Sequence, residues 1–304
     1  MKNVVLFLVV ISFSTPCNAQ NLFVAKNGKV TNAGTNNQPF DGLESAVKKA
    51  SEIRANKPDA DISITMLIGD YYLNDPILIP AALSGLTIKG TSASEVKIKG
   101  SKVLKGNWQK YTDNIYVMLV PETLDFDQLV VNDKAQILAR YPNYDENAAC
   151  WQGYAADAIS KERLASWKKP EGAYFSALRN GKWGGFHFTI KGIDKDGTAI
   201  LEGGQQNNRY SKPHEEFRMV ENVFEELDSA GEWYLDKSEH KLYYWPQENI
   251  DLNAAEIEVS KLKDLIQIVG TLENPVRDVC ISGIGFENTK RTFMEDYEPL
   301  LRSD

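Results

Sequence analysis

Short runs of aliphatic and β-branched residues dominate the hydrophobic pattern in the first third of the chain. They cover residues 62–68, 77–79, 86–88 and 96–98, and Gly, Pro, Asn or Ser bounds each run. They recur roughly every ten residues, and they are not the long alternating strands that tight hairpin turns connect. Short strands that recur without hairpin turns are typical of stacked coils. The pattern therefore predicts a parallel solenoid that begins within residues 20–104.

One amphipathic helix precedes these runs. Its apolar positions fall on a single helical stripe and are Leu43, Ala46, Val47, Ala50 and Ile53. Asp41 stands where an N-cap is expected, Glu44 follows three residues later, and Pro58 lies beyond the end. We expect this helix to cover the open end of the solenoid core, which water would otherwise reach.

The pattern changes between residues 105 and 252. Aromatic residues become frequent, and longer alternating strands predict two hairpins, one joining residues 186–190 to 198–201 and one joining 233–235 to 241–245. We interpret this stretch as an inserted antiparallel β domain, a sandwich. Short strands return over residues 253–304, and the sequence stops at Asp304 with no capping element. We expect from this that the chain is the N-terminal part of a longer protein.

The first nineteen residues have the features of an export signal. Lys2 supplies a positive start, an apolar run of about ten residues follows, and Cys17-Asn18-Ala19 places small residues before a cut at Gln20. This predicts cleavage of residues 1–19 and a secreted or periplasmic protein. A lipoprotein anchor on Cys17 is the less favoured alternative, because Pro16 stands where a small residue is required. No other apolar run approaches the length of a membrane span.

Composition narrows the classes of function. The 304 residues include 34 Lys and Arg against 42 Asp and Glu, a net charge of −8, which argues against nucleic acid as a partner. The three histidines are scattered, so we expect no metal site and no cofactor. Cys150 and Cys280 remain after signal cleavage, and free thiols are the favoured interpretation.

Several segments resemble carbohydrate-active proteins. Residues 23–28 (FVAKNG), with Gly34-Thr35 and Pro39-Phe40, resemble the start of secreted right-handed parallel β-helix proteins of the pectate-lyase type. Further segments, in this order, resemble the N-terminal half of β-helix enzymes similar to glycoside hydrolase family 141: ARYPN (139–143), GG (203–204), NR (208–209), VENVFEELD (220–228), GEWYLD (231–236), LYY (242–244) and YEPLLRSD (297–304).

The resemblance implies a fold and an activity. It implies a right-handed parallel β-helix with an N-terminal capping helix and an inserted antiparallel β-sandwich. It also implies hydrolysis of plant cell-wall polysaccharides that contain fucose or xylose. The catalytic carboxylates of that family lie in later coils, so the resemblance places them beyond Asp304. It predicts no activity for the 304 residues alone, and a polysaccharide or oligosaccharide as partner.

Few candidate site residues lie within the chain itself. Arg302, Asp304 and Glu298 are candidates for substrate contact, because they belong to a predicted coil on which a groove could form. Glu225 and Asp228 could form a pair of catalytic acids, but the favoured interpretation is that they are exposed charged positions. A polysaccharide lyase on the same fold and a non-catalytic carbohydrate-binding protein stay open as alternatives.

Overall fold

A computed structural model describes residues 19–204 and 211–295. Strands dominate these residues. The first thirteen are β1 (Gln20–Val24), β2 (Ile62–Met66), β3 (Gly69–Tyr72), β4 (Ile77–Pro80), β5 (Thr87–Gly90), β6 (Val96–Lys99), β7 (Ser101–Val103), β8 (Gln109–Lys110), β9 (Tyr116–Leu119), β10 (Leu129–Val131), β11 (Lys134–Ala135), β12 (Ile137–Leu138) and β13 (Arg140–Tyr141). The remainder are β14 (Tyr174–Arg179), β15 (Gly185–Ile193), β16 (Ala199–Gly203), β17 (Pro213–Glu221), β18 (Glu232–Asp236), β19 (Lys241–Tyr244), β20 (Ile257–Ser260), β21 (Ile266–Val269), β22 (Cys280–Ser282) and β23 (Gly285–Glu287).

Helical segments are few. They are the α-helices α1 (Leu43–Asn56) and α2 (Lys161–Ser166) and the 3-10 turns Ala81–Leu83 and Phe224–Glu226. The chain divides into two compact units. The first runs to Tyr71 and adds Asp75–Ile98 and Ile266–Phe286, whereas the second contains Tyr72–Asn74, Lys99–Leu265 and the chain from Glu287 onward.

The first unit contains most of the parallel pairing. Its largest sheet has the order β1-β2-β5-β22, with neighbouring strands parallel, and β21 pairs with β4, also in parallel. The predicted helix is confirmed as α1, and it buries Leu43, Ala46, Val47 and Ala50. Asp41 was expected at the N-cap, but Gly42 occupies that position. Asp41 instead accepts a hydrogen bond from the Ser45 hydroxyl at 3.0 Å.

The second unit is built on antiparallel pairing. Its sheets have the orders β11-β10-β20-β7, β12-β18-β19-β9-β8 and β13-β17-β14-β15-β16, and β12 with β18 is the one parallel pair in them. Both predicted hairpins are confirmed as β15–β16 and β18–β19. One core cluster of this unit contains the buried side chains of Trp233, Tyr244 and Leu129.

The prediction of a right-handed parallel β-helix is wrong. Within the described residues most strand pairs are antiparallel, the parallel strands are two to five residues long and divided among several sheets, and no sheet closes on itself or winds as a solenoid. The physical reason is that a short apolar run specifies a strand but not its partner. The strand that follows β5 in its sheet is β22, from the far end of the described chain, and α1 therefore does not cap a solenoid.

The predicted sandwich insert differs from the structure in a similar way. The second unit distributes its strands over three sheets, whereas a sandwich has two facing sheets. The predicted boundaries at residues 104/105 and 252/253 stay a prediction.

Candidate functional site

Two adjoining hollows lie on the second unit. The larger one has a volume of about 560 Å³ and is lined by Lys169, Glu171, Gly172, Tyr174, Thr189, Asn222, Tyr234, Leu235, Asp236, Lys237 and Ser238. The smaller one has a volume of about 170 Å³ and is lined by Tyr111, Lys168, Lys169, Phe224, Glu225, Tyr234, Asp236, Glu239 and Tyr243. Lys169, Tyr234 and Asp236 line both, so these three residues form a shared wall.

The β18–β19 hairpin builds this shared wall. The Asp236 carboxylate accepts hydrogen bonds from the backbone N–H groups of Ser238 and Glu239, both at 3.0 Å, and from the Ser238 hydroxyl at 2.6 Å. A short acidic side chain that bonds the backbone two and three residues ahead fixes a turn. In this turn His240 has a φ of 53°. Glu239 is one of the residues that line the smaller hollow.

Lys169 connects two carboxylates at this wall. Its ammonium group lies 2.9 Å from Asp236 Oδ2 and 3.0 Å from Glu239 Oε1. Hydrogen bonds to Asp236 and Glu239 raise the pKa of Lys169. Burial would raise the pKa of Asp236, but the bonds from Ser238 and Lys169 outweigh it and the pKa is lowered. Hydrogen bonds from Lys241 and Lys169 lower the pKa of Glu239 as well, so all three groups are charged at neutral pH.

Glu225 points into the smaller hollow from the 3-10 turn Phe224–Glu226. Its Oε1 accepts the Lys168 backbone N–H at 3.2 Å, whereas Oε2 is buried and has no hydrogen-bond partner among the described residues. The neighbouring Glu226 is used differently, because its Oε1 accepts from Trp167 Nε1 at 2.8 Å and from Arg163 at 2.9 Å. Glu226 therefore anchors the turn, and Glu225 keeps an acceptor that no protein group satisfies.

Asn222 presents a second unsatisfied acceptor, in the larger hollow. It follows β17 in the left-handed region at a φ of 61°, a conformation that asparagine tolerates better than most residues. Its side chain is 8% exposed, and its Nδ2 donates to the Gly172 carbonyl at 3.4 Å. Its Oδ1 is buried without a partner in the described part of the chain. A buried acceptor left unpaired costs about 1–3 kcal/mol, which makes it a place where a ligand donor would be stabilising.

Aromatic rings form the floor of the smaller hollow. The Tyr111 ring meets Phe224 edge-on at 5.8 Å and Tyr243 at 5.1 Å between centroids. Tyr243 is buried, whereas Tyr111 is 51% exposed. A half-exposed ring held by a buried and a partly buried neighbour provides a rigid apolar face, and such faces suit the apolar side of a sugar ring.

The structure separates the two acids that the sequence singled out. Glu225 lines the smaller hollow, but Asp228 lines neither hollow and is exposed, with its Oδ1 accepting from Asn143 at 3.0 Å. Their role as a catalytic pair stays untested. Glu298, Arg302 and Asp304 lie outside the described residues, as does nearly all of the predicted export signal.

Sequence reasoning missed most of the site. Asn222, Lys169 and Asp236 were not recognised as candidates, although the DKSE segment at 236–239 carries the signature of an acid-capped turn. Among the aromatic residues that become frequent in this part of the sequence, Trp233, Tyr244 and Phe186 are buried, whereas Trp183 is 71% exposed.

The carboxylates of the hollows suit binding better than acid catalysis. Glycoside hydrolysis requires one carboxyl group with a raised pKa and a second one nearby. Asp236 and Glu239 have lowered pKa values. Burial raises the pKa of Glu232 to about 7, but this side chain is 1% exposed and lines neither hollow.

Other kinds of site are absent from the described residues. No group of three or more His, Cys, Asp or Glu side chains among them could hold a metal ion. None of the helices in residues 19–204 and 211–295 has the length and apolar character that a membrane crossing requires. Cys150 and Cys280 are both free thiols.

Comparison with known proteins identifies a similar fold. No protein-family profile matches the chain, and no curated protein sequence matches it. A solved structure described as a glycoside hydrolase superposes with a TM-score of 0.72 at 24% identity, over 90% of this chain and 51% of that one. A structure of XylC in complex with xylose gives a TM-score of 0.44 at 13% identity, over 90% of this chain and 36% of that one. The chain thus spans about half the length of the glycoside hydrolase whose fold it shares.

Proposed function

We propose that this protein is an exported glycoside hydrolase of plant cell-wall polysaccharides containing xylose or fucose, in which the two hollows bind the glycan. The observation that carries the binding role is that each hollow is lined by a residue with an unsatisfied buried acceptor, Glu225 Oε2 and Asn222 Oδ1, and that the half-exposed Tyr111 ring lines the smaller hollow. Sugar hydroxyls are donors that satisfy such acceptors, and a sugar ring has an apolar face for Tyr111.

Hydrolysis is supported by two independent likenesses. The order of segments in the sequence resembles glycoside hydrolase family 141, and the fold resembles that of a protein described as a glycoside hydrolase. Fold alone does not establish an activity, so the chemistry has to be tested directly. A carbohydrate-binding protein without catalysis is the second candidate, because Lys169 holds two carboxylates of the hollows in their charged form.

Replacement of Tyr111 by alanine is expected to weaken glycan binding about tenfold, which corresponds to roughly 1.4 kcal/mol. The reason is that the substitution removes the exposed apolar face but leaves its neighbours Phe224 and Tyr243 in place. Isothermal titration with xylan oligosaccharides and fucosylated xyloglucan fragments measures the dissociation constants.

Tyr144→Ala is the matched control for that substitution. Tyr144 is 50% exposed and lines neither hollow, so its loss should leave the dissociation constant unchanged. Absence of binding to every glycan, or equal weakening by both substitutions, contradicts the binding role. A reducing-end assay on the glycans that bind then separates a hydrolase from a binding protein.

A further inference from the structure

The two hollows lie against a common wall. Lys169, Tyr234 and Asp236 line both, and the side chains of Lys169 and Asp236 are joined at 2.9 Å. The two hollows are therefore neighbours, and a ligand of several sugar units that occupied both would pass this wall. The larger hollow has the volume of an ordinary small-molecule site, about 300–1,000 Å³, whereas the smaller one is below that range.

Each hollow is lined by one residue with a buried acceptor that has no partner among the described residues. Glu225, with Oε2, lines the smaller hollow, and Asn222, with Oδ1, lines the larger one. One hydroxyl-rich ligand that reaches both satisfies two buried acceptors, and satisfying buried polar groups is what makes a polar ligand specific.

The charges at the hollows disfavour an acidic ligand. The ammonium group of Lys169 is shared by Asp236 and Glu239, and that of Lys237 lies 2.7 Å from Asp125. Glu171 and Glu225 add negative charge to the lining, with Lys168 as the remaining cation. A ligand carboxylate would lie near several acids whose counter-ions are already engaged, and like charges brought together oppose binding.

We propose that one neutral oligosaccharide of more than one sugar unit occupies both hollows at once and crosses the wall of Lys169, Tyr234 and Asp236. This inference rests on the proposed function and specifies its ligand. The smaller hollow holds a single unit against Tyr111 and Glu225, and the larger hollow holds the units that follow, with a hydroxyl donated to Asn222.

The test is a titration with a series of neutral xylo-oligosaccharides from one to six units. The affinity is expected to rise at least tenfold between one unit and four units and then to level off, with one oligosaccharide bound per chain. Oligogalacturonides of the same lengths should bind at least tenfold more weakly, because each of their units carries a carboxylate.

Substitutions that alter one hollow at a time test whether a single ligand spans both. Thr189→Val removes a hydroxyl from the larger hollow without changing its volume, and Asn222→Gly removes the acceptor while tolerating the positive φ. Tyr111→Ala alters the smaller hollow. Binding of the four-unit ligand should weaken with a change in either hollow, whereas binding of the single unit should weaken with changes in one hollow only. Circular dichroism verifies that each variant is folded.

The outcomes distinguish this inference from the proposed function. If no oligosaccharide of any length or charge binds, the proposed function itself is wrong. If oligosaccharides bind with two per chain, with an affinity independent of length, or equally well when acidic, glycan binding stands and the single spanning neutral ligand is wrong.

Discussion

Replacing Glu258 with alanine is expected to lower the free energy of unfolding by about 3–5 kcal/mol at pH 7. Glu258 is 1% exposed, and its Oε1 lies 2.7 Å from the ammonium group of Lys99, whose side chain is completely buried. Ser101 and Asn288 donate to the other carboxylate oxygen, and the Tyr72 hydroxyl donates to Oε1 at 3.0 Å. Alanine would remove the buried counter-ion of Lys99, leaving it the exposed carboxylate of Asp133 at 3.0 Å, and would take away the acceptor of Ser101 and Asn288. Weakening the pairing of a buried charge and leaving buried donors unsatisfied are among the most destabilising changes a substitution makes.

Both Lys99 and Glu258 are charged at neutral pH, and this determines how their contribution to stability depends on pH. Burial would raise the pKa of Glu258, but the bonds from Lys99, Ser101 and Asn288 outweigh it and lower the pKa. Burial would likewise lower the pKa of Lys99, yet its bonds to Glu258 and Asp133 raise it. A carboxyl group whose pKa is lowered by folding stabilises the folded protein at pH values above the ordinary pKa of that group. This stabilisation is lost as the pH falls through the pKa of the group in the folded protein. The effect of Glu258→Ala should therefore shrink in strong acid.

Urea unfolding at pH 7 measures the loss, with Glu256→Ala as its matched control. Glu256 is two residues away, exposed, and bonded to the same Tyr72 hydroxyl at 3.2 Å, so its removal should cost less than about 1 kcal/mol. The double variant Lys99→Met with Glu258→Leu should recover much of the loss, since an apolar pair replaces the buried charges. Equal losses for Glu258→Ala and Glu256→Ala would show that the buried pair contributes no more than a surface contact.

Local structure was predictable from the sequence where neighbouring residues determine it. The stripe from Leu43 to Ala50 specifies α1, because helical spacing needs no partner elsewhere. The turn at Asp196-Gly197 specifies the β15–β16 hairpin for the same reason, since the two strands follow one another. Each of these elements is determined by residues that lie close together in the sequence.

The arrangement of the sheets was not predictable in that way. The run at 86–88 specifies a strand, but its partners are β2 on one side and β22 on the other, and Thr87 pairs with Cys280. Nothing in three apolar residues encodes a partner so distant, and the resemblance to β-helix proteins supplied a wrong answer. Long-range register depends on the assembled core, which a local pattern does not contain.

The candidate site likewise combines one residue that could be recognised locally with others that only the fold brings together. Glu225 was recognisable because a carboxylate is a possible acid wherever it occurs in the sequence. Its companions come from separate loops, since Lys169 follows α2 and Asn222 follows β17, and folding alone brings them to one wall. An unsatisfied acceptor such as Asn222 Oδ1 has no signature in sequence, because it is defined by the donors that are missing around it.

Replacing Glu232 with glutamine is expected to stabilise the protein at pH 8 and to have little effect at pH 4. Burial is the main cause that raises the pKa of Glu232 from 4.5 to about 7, although its Oε2 accepts backbone N–H groups from Asp228 at 3.1 Å and Ser229 at 3.2 Å. Its Oε1 is buried without a partner among the described residues. Glutamine keeps an acceptor for the two N–H groups and is neutral, like the protonated acid.

The sign of this effect follows from which state holds the proton. Below pH 4.5 both folded and unfolded chains carry a protonated Glu232, so wild type and Glu232→Gln should be equally stable apart from a constant offset. Between 4.5 and about 7 the folded chain retains a proton that the unfolded chain has released, so the wild type loses stability as pH rises. The rise in the pKa of Glu232 from 4.5 to about 7 predicts a gain of roughly 3 kcal/mol for the variant at pH 8 relative to pH 4.

Urea unfolding of the wild type and of Glu232→Gln at pH 4, 6 and 8 measures this difference. The contributions of the other ionisable groups to the pH dependence cancel, because both proteins contain them. Glu239→Gln is the control of opposite sign, since Lys241 and Lys169 lower the pKa of that carboxyl and its neutralisation should not stabilise the protein at any pH. A gain for Glu232→Gln that is the same at pH 4 and pH 8 would mean that side-chain size, and not the charge, is responsible. A gain in stability that increases from pH 4 through pH 6 to pH 8 would show that burial disfavours the ionised form of Glu232, which lies next to Trp233 of the core in β18.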